Sequence, residues 1–318
     1  MSSGEADRRR VRTVPIALRD NKVDPSLLAS PPGPDHDFGA FLTSLPDTLA
    51  ARDLRLVIER TRQAQMAGKG VALLLGGHVI KVGLGPLVNR LIDQGVVTHI
   101  AMNGAAAIHD FELAAYGGTS EDVESGLGDG TFGMAEETGR DMNAAINLAA
   151  TRHIGMGQGL GEALLGMARL PGGEVSILAQ AVRHQIPVTV HTAIGAEIIH
   201  QHPTADGAAI GATSLRDFDR LAGSLPRLDQ GGVVMNWGSA VIMPEVFLKA
   251  LTIARNLYAG KPARFLAADF DMIRHYRPAM NIVRRPTKDG GEGVQITGHH
   301  EIMMPLVVWG ILDDRGRK

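Results

Sequence analysis

A chain of 318 residues with 44% apolar and 21% charged side chains is long enough to bury a sizeable core and has the composition of a globular protein. Its net charge of −2 argues against a nucleic-acid partner despite the local basic run Arg8-Arg9-Arg10 with Arg12, and no apolar stretch is long enough to span a bilayer. The absence of cysteine excludes disulfides and thiolate metal sites, and the polar start MSSGEADRRR lacks the apolar segment of a secretory signal, so a cytoplasmic protein is expected.

Residues 1–45 read as an N-terminal arm. The chain is polar to Arg12, then Val14–Asp37 mixes prolines with short apolar patches and ends in SPPGPDHD. Such a segment has too few apolar residues to fold alone and is expected to pack on the body or on a neighbouring subunit. Residues 46–318 read as a single α/β domain. Asp47 can cap a helix running to about Gly68, with Leu49, Leu56, Ile58 and Met66 alternating with Arg and Glu.

The stretch Val71–Glu112 organises the domain. An apolar run, Val71–Leu75, meets a break at Gly76-Gly77. Pro86 opens a helical pattern that Gly95 closes, and a second apolar run, Val96–Met102, ends at Asn103-Gly104 before a helix start around His109-Asp110. Two buried strands joined by a short helix form a βαβ unit and must be parallel. Ligands of open parallel sheets sit at the carboxyl ends of the strands. His78 and Lys81 follow the first strand here, and Asn103, Gly104, Ala105, His109 and Asp110 the second.

Further along, the acidic, glycine-broken Tyr116–Gly133 reads as a loop with a short helix. Helices are expected over Met134–Arg152, Leu160–Ala168 and Glu174–Arg183. A strand at Ile186–Val190 comes next, then a helix start across Ile194–His202 and a helical stretch at Phe218–Leu225. The strand Val233–Asn236 runs into Trp237-Gly238-Ser239, Pro244 opens the helix Glu245–Tyr258, and Arg264–Ala268 is a further strand. Ile282-Val283, a glycine turn, the strand Val294–Thr297 and a helix from His300 to about Leu312 complete the chain. The alternation predicts an α/β fold with a mainly parallel sheet and helices on both faces.

The run LGGHVIKVGLGPLVNRLIDQGVVTHIAMNGAAAIHDFE resembles the deoxyhypusine synthase family, and so, in the same order, do EVSILAQAVRHQIPVTVHTAIGAEII, GGVVMNWGSAVIMPEVFLKA and ITGHHEIMMPLVVWGIL. The resemblance implies an NAD-binding Rossmann-like domain, homo-dimers or homo-tetramers with sites between subunits, and a lysine that carries the transferred group. Under it, Gly76, Gly77, His78, Asn103, Gly104, Ala105, Trp237, Gly238 and Ser239 would contact NAD. The family's lysine falls on Ile242, and Lys249 lies two turns on, ~10 Å along a helix axis. Its paired glutamates fall on His109 and Asp110, a cofactor-side serine on Lys81, and an aspartate of its last helix on or beside His299. The acidic cluster that would hold a polycation is not found, so the chain is not expected to be a deoxyhypusine synthase.

Basic groups concentrate instead between Arg274 and His300. Lys81, Arg284, Arg285 and Glu301 are the candidate substrate contacts, and a small anionic metabolite is the expected partner. His109, Asp110, His299 and His300 are the candidate catalytic residues, imidazole being able to move protons near neutral pH. His191, His200 and His202 suggest a metal cluster by eye, but two residues apart on a helix point in different directions, so no metal is expected. The leading expectation is NAD-dependent hydride transfer or transient redox on that metabolite. An NAD-independent hydrolase or lyase, and a catalytically silent nucleotide-binding regulator, remain open.

Overall fold

The computed structural model describes residues 8–12, 14–15, 18, 24–31 and 37–313. Much of the expected arm, including Pro32-Gly33-Pro34, lies outside the described residues. Its described part Pro25–Leu27 is a single 3-10 turn capped by Asp24. Backbone bonds from Ser30 N to Ser44 O and from Asp47 N to Leu27 O hold this piece beside α1 (Phe38–Ser44).

After α1 come α2 (Leu49–Met66), β1 (Val71–Leu75), α3 (Gly77–Lys81), α4 (Gly85–Asp93), β2 (His99–Asn103), α5 (Gly104–Tyr116), α6 (Val123–Leu127), α7 (Glu136–Thr151), α8 (Met156–Gly166) and α9 (Ile177–Arg183). The chain continues through β3 (Val188–His191), α10 (Gly207–Ser224), β4 (Val233–Trp237), α11 (Ile242–Leu257), β5 (Leu266–Asp271), α12 (Tyr276–Pro278), α13 (Arg285–Thr287), β6 (Glu292–Thr297) and α14 (His300–Leu312). A π-helical stretch, Ala279–Arg284, joins α12 to α13.

All six strands are parallel, in the order β3-β2-β1-β4-β5-β6. The period-2 alternation of a strand divides its side chains between two cores. Val71, Leu73 and Leu75 join Ile100, Met102, Val233 and Met235 under α2, α5, α8, α9 and α14. Ala72, Leu74, Ala101 and Val234 face Leu221 of α10, Phe247 and Leu251 of α11, and Ile282. This order reverses direction between β1 and β4, the switch point where open α/β sheets leave a crevice.

Gly76 makes that junction possible. Its N–H donates to Trp237 O at 2.9 Å, and a Cβ on it would lie 2.1 Å from the Gly238 carbonyl oxygen. No side chain fits between the two strand ends. We expect Gly76→Ala to lower stability by about 1–3 kcal/mol through overpacking, read as a lower urea midpoint; an unchanged midpoint would show that the junction yields freely.

Several boundaries differ from the sequence expectation, each for a local reason. Gly76-Gly77 does not open a loop; Gly76 is the N-cap of α3, so Lys81 sits in a helix. Thr48, not Asp47, is the N-cap of α2, and Asp47 accepts from Arg55 at 2.8 Å. The Asn103 side chain accepts from Ala106 N, starting α5 at Gly104 rather than at His109. Val96 and Val97 are buried in the connection before the strand, and β2 starts only at His99. Asp206 caps α10 well before Phe218, while Ile194–His202 forms only the 3-10 turn Ile198–Gln201. Ile282-Val283 is helical, not extended.

Candidate functional site

The switch-point crevice expected between β1 and β4 is filled by strand ends and rings. Gly238 has φ +66, and a Cβ there would meet His300 Nε2 at 2.7 Å. The His300 ring lies 5.6 Å from His78 and 6.2 Å from Trp237. Trp237 itself stacks on Phe270 at 3.8 Å and is buried in the core. Both ring nitrogens of His300 are buried without a hydrogen-bond partner. Burial pushes its pKa down, so the ring is neutral. Ser239 is spent locally: its hydroxyl accepts from Met243 N in the first turn of α11.

Next to the crevice, on the other side of α3, lies a cavity of about 720 Å³. Lys81 from the end of α3, Ala105, Ile108, His109 and Glu112 from α5, and Thr119 from the segment after α5 line one part of it; Glu137 and Thr138 of α7 and Glu197 line another. A Cβ on Gly77 would sit 3.2 Å from His109 Cδ2, so α3 is the common wall of crevice and cavity. His109 Nδ1 is 2.7 Å from Thr119 Oγ1, which donates to Glu112 Oε2 at 2.5 Å; Thr138 Oγ1 donates to Glu112 Oε1 at 2.8 Å. Burial first, then the Lys81 charge, pushes His109 down to about 4. At neutral pH it is an uncharged imidazole, able to accept a proton.

Glu197 closes the cavity against the start of α5, where a Cβ on Gly104 would lie 2.5 Å from its carboxyl carbon. Its Oε1 accepts from Ala193 N, while Oε2 is buried without a hydrogen bond, 3.2 Å from His200 Nδ1. That nitrogen already accepts from Gly195 N. Burial pushes Glu197 up to about 7. The wall thus pairs a neutral base with a carboxyl poised near neutrality, the separation that acid–base chemistry uses.

Other candidates lie elsewhere. Asp110 does not face the cavity: it is buried and accepts from Ser176 Oγ (2.7 Å), Ile177 N (2.7 Å) and Leu178 N (3.0 Å), capping α9. Arg284 and Arg285 lie within a helical segment that leaves the carboxyl end of β5 and returns the chain to the amino end of β6. They do not line the cavity, and Arg285 donates to Asn281 Oδ1. His299 and Glu301 are exposed at the start of α14, 3.7 Å apart. Lys81 therefore does not converge with these cations. Lys249 is an exposed partner of Glu245. His191, His200 and His202 each bond a different group: Thr189, Gly195 and the Gly133 carbonyl.

Carboxyls that are scattered along the sequence gather in the folded chain. Glu112, Glu121, Glu137 and Glu197 come from four segments and meet around one cavity. Only the acidic composition of Tyr116–Gly133 signalled it, and that had read as solvated loop.

No protein-family model matches the sequence, and no curated protein is significantly similar to it. Solved structures are. A protein assigned as a deoxyhypusine synthase from Entamoeba histolytica, 12% identical, aligns with a TM-score of 0.53 over 86% of this chain and 92% of its own. The chain therefore has the deoxyhypusine synthase-like fold. A LOR/SDH protein from Methanococcus maripaludis S2 is 15% identical (TM-score 0.49, 86% of this chain, 72% of that one). AgrE, in a ternary complex with ornithine and NAD+, is 18% identical with a TM-score of 0.49 over 84% of this chain. This chain covers only 34% of AgrE.

At the switch point Gly76 packs on the Gly238 carbonyl and Gly238 on the His300 ring, whose two buried nitrogens have no hydrogen-bond partner. Among the described residues no helix is long and apolar enough to cross a membrane.

Proposed function

We propose that this chain is an NAD-dependent enzyme of the oxidoreductase or transferase type that takes a hydride from a small metabolite held in the 720 Å³ cavity. The observation that carries the reading is the neutral His109 imidazole inside a cavity that shares the α3 wall with the switch-point crevice. The backbone of Gly76, Gly77 and Gly238, the rings of His78 and His300, and the start of α5 at Gly104 and Ala105 would hold NAD. When bound, NAD accepts hydride.

The protein's own part is proton handling and orientation. His109 takes the proton from the substrate heteroatom as its C–H bond gives up hydride. Lys81 is the cation in the cavity wall that meets an anionic group of the substrate. Glu121, Glu137 and Glu197 supply complementary charge or a hydrogen bond for an amine. The substrate class this favours is a small acid that also carries an amine, rather than a purely anionic metabolite. Homo-dimer or homo-tetramer assembly, with residues 46–318 as one domain, belongs to the same proposal; Ile302 and Trp309 expose apolar surface on one side of α14.

Saturating NAD is expected to raise the melting temperature. At a hundred times its Kd, a ligand specific for the folded state adds about 2.7 kcal/mol, a shift on the order of 5 °C for a chain of this size. No shift with millimolar NAD, NADH, NADP or NADPH removes this reading.

A further inference from the structure

His109 and Glu112 are one turn apart on α5 and share a face, yet they do not touch directly. The Thr119 hydroxyl stands between them, 2.7 Å from His109 Nδ1 and 2.5 Å from Glu112 Oε2. A threonine hydroxyl has one proton and two lone pairs. With that proton given to the carboxylate, the oxygen can only accept on its other side, so Nδ1 must bring the proton to the contact. We propose that Glu112, acting through Thr119, is a positioning residue that locks His109 in the Nδ1–H tautomer and presents Nε2 as the proton acceptor of the cavity.

This rests on the reading of the cavity as a reaction site, and it specifies how the base is set. Glu112 is itself fixed, because Thr138 Oγ1 from α7 bonds its second oxygen at 2.8 Å. Three separate segments thus converge on one imidazole: α5, the chain after it, and α7. A merely structural role for Thr119, tying its segment back to α5, would need only the bond to Glu112. It would not require an imidazole nitrogen at hydrogen-bond distance on the hydroxyl's far side.

The proton balance is simple. Nε2 uses its lone pair to take a proton from the substrate heteroatom, and the ring becomes an imidazolium with N–H at both nitrogens. The Nδ1–H stays on Thr119, the threonine proton stays on Glu112, and no further bond breaks. The carboxylate faces the new positive charge through one hydroxyl. Burial and Lys81 work against that charge, so the relay is the counterweight within the site.

The test is a pH titration of the 15N-labelled imidazoles in the intact protein, with His109→Asn identifying the resonances. The wild-type neutral ring should be predominantly Nδ1–H. Thr119→Val should shift it to predominantly Nε2–H and lower the His109 pKa by about one unit, whereas Thr119→Ser should restore both. A wild-type ring that is Nε2–H, or a Thr119→Val protein unchanged in tautomer and titration, overturns the proposal. Should Thr119→Val not fold, the wild-type tautomer alone decides. Failure of NAD to bind would remove the proposed reaction but leave this spectrum as it stands, so the two failures are distinguishable.

Discussion

Asp110→Ala is expected to lower stability by about 3–5 kcal/mol while leaving the affinity for NAD unchanged. The carboxylate is buried and takes three hydrogen bonds, from Ser176 Oγ and the Ile177 and Leu178 amides. Those amides are free donors of the first turn of α9, which a helix cannot satisfy by itself. Alanine leaves two backbone N–H groups buried without acceptors, each costing about 1–3 kcal/mol. Asp110→Asn should be milder, since the amide oxygen keeps acceptor capacity. Urea unfolding with an unchanged m-value measures this. A loss below about 1 kcal/mol would mean that α9 finds its cap elsewhere, and a loss of NAD affinity without loss of stability would return Asp110 to the site.

The contrast between Asp110 and its neighbour shows what the sequence could convey. Apolar runs ending in Gly76-Gly77, Asn103-Gly104 and Trp237-Gly238 are local signals, and they located the carboxyl edge where crevice and cavity lie. His109 was legible as a polar group beyond a strand end. Its adjacency to Asp110 was misleading, because α5 begins at Gly104 and consecutive helical residues point in different directions. One faces the cavity and the other faces α9. Thr119, Thr138 and Glu197 were not legible, since they reach His109 or the cavity from segments that only the folded chain brings together. Arg284 and Arg285 misled for a similar reason: Ile282-Val283 looked like a strand, whereas the helical chain through them moves the pair away from the carboxyl edge. Charge counted along the sequence pointed to an anion, whereas the cavity wall sets four glutamates against one lysine.

Stability should be nearly level from about pH 4.5 to neutrality and fall below about pH 4, because two sets of buried groups oppose each other. Burial pushes His99 and His191 down to about 3 and His109 to about 4, from 6.5 in the unfolded chain. As pH falls through 6.5 the unfolded state gains three protons on these groups that the native state does not, which favours unfolding. Burial also pushes Asp110 up to about 6 and Glu197 and Asp217 to about 7. These three keep protons in the native state that the unfolded chain has released above about pH 4, so each loses its stabilising contribution as pH rises toward its native pKa. Between the two limits the proton counts of native and unfolded states are nearly equal, and the slope vanishes. His200 and His300 add to the first set and Asp269 to the second. Below pH 4 the unfolded carboxyls protonate as well and the compensation weakens, while the native imidazoles begin to take up protons themselves. The unfolded state then keeps an excess of about one proton, and the slope is about 1.4 kcal/mol per pH unit. Asp217→Asn removes one carboxyl and unbalances the plateau: stability should then rise with pH between 4.5 and 6.5 by about 1.4 kcal/mol per unit. Urea midpoints measured across that range decide it. A wild-type curve that already climbs by several kcal/mol from pH 4.5 to 6.5 would show that the buried carboxyls are ionised in the native state. An Asp217→Asn curve as level as the wild type would remove Asp217 from the balance.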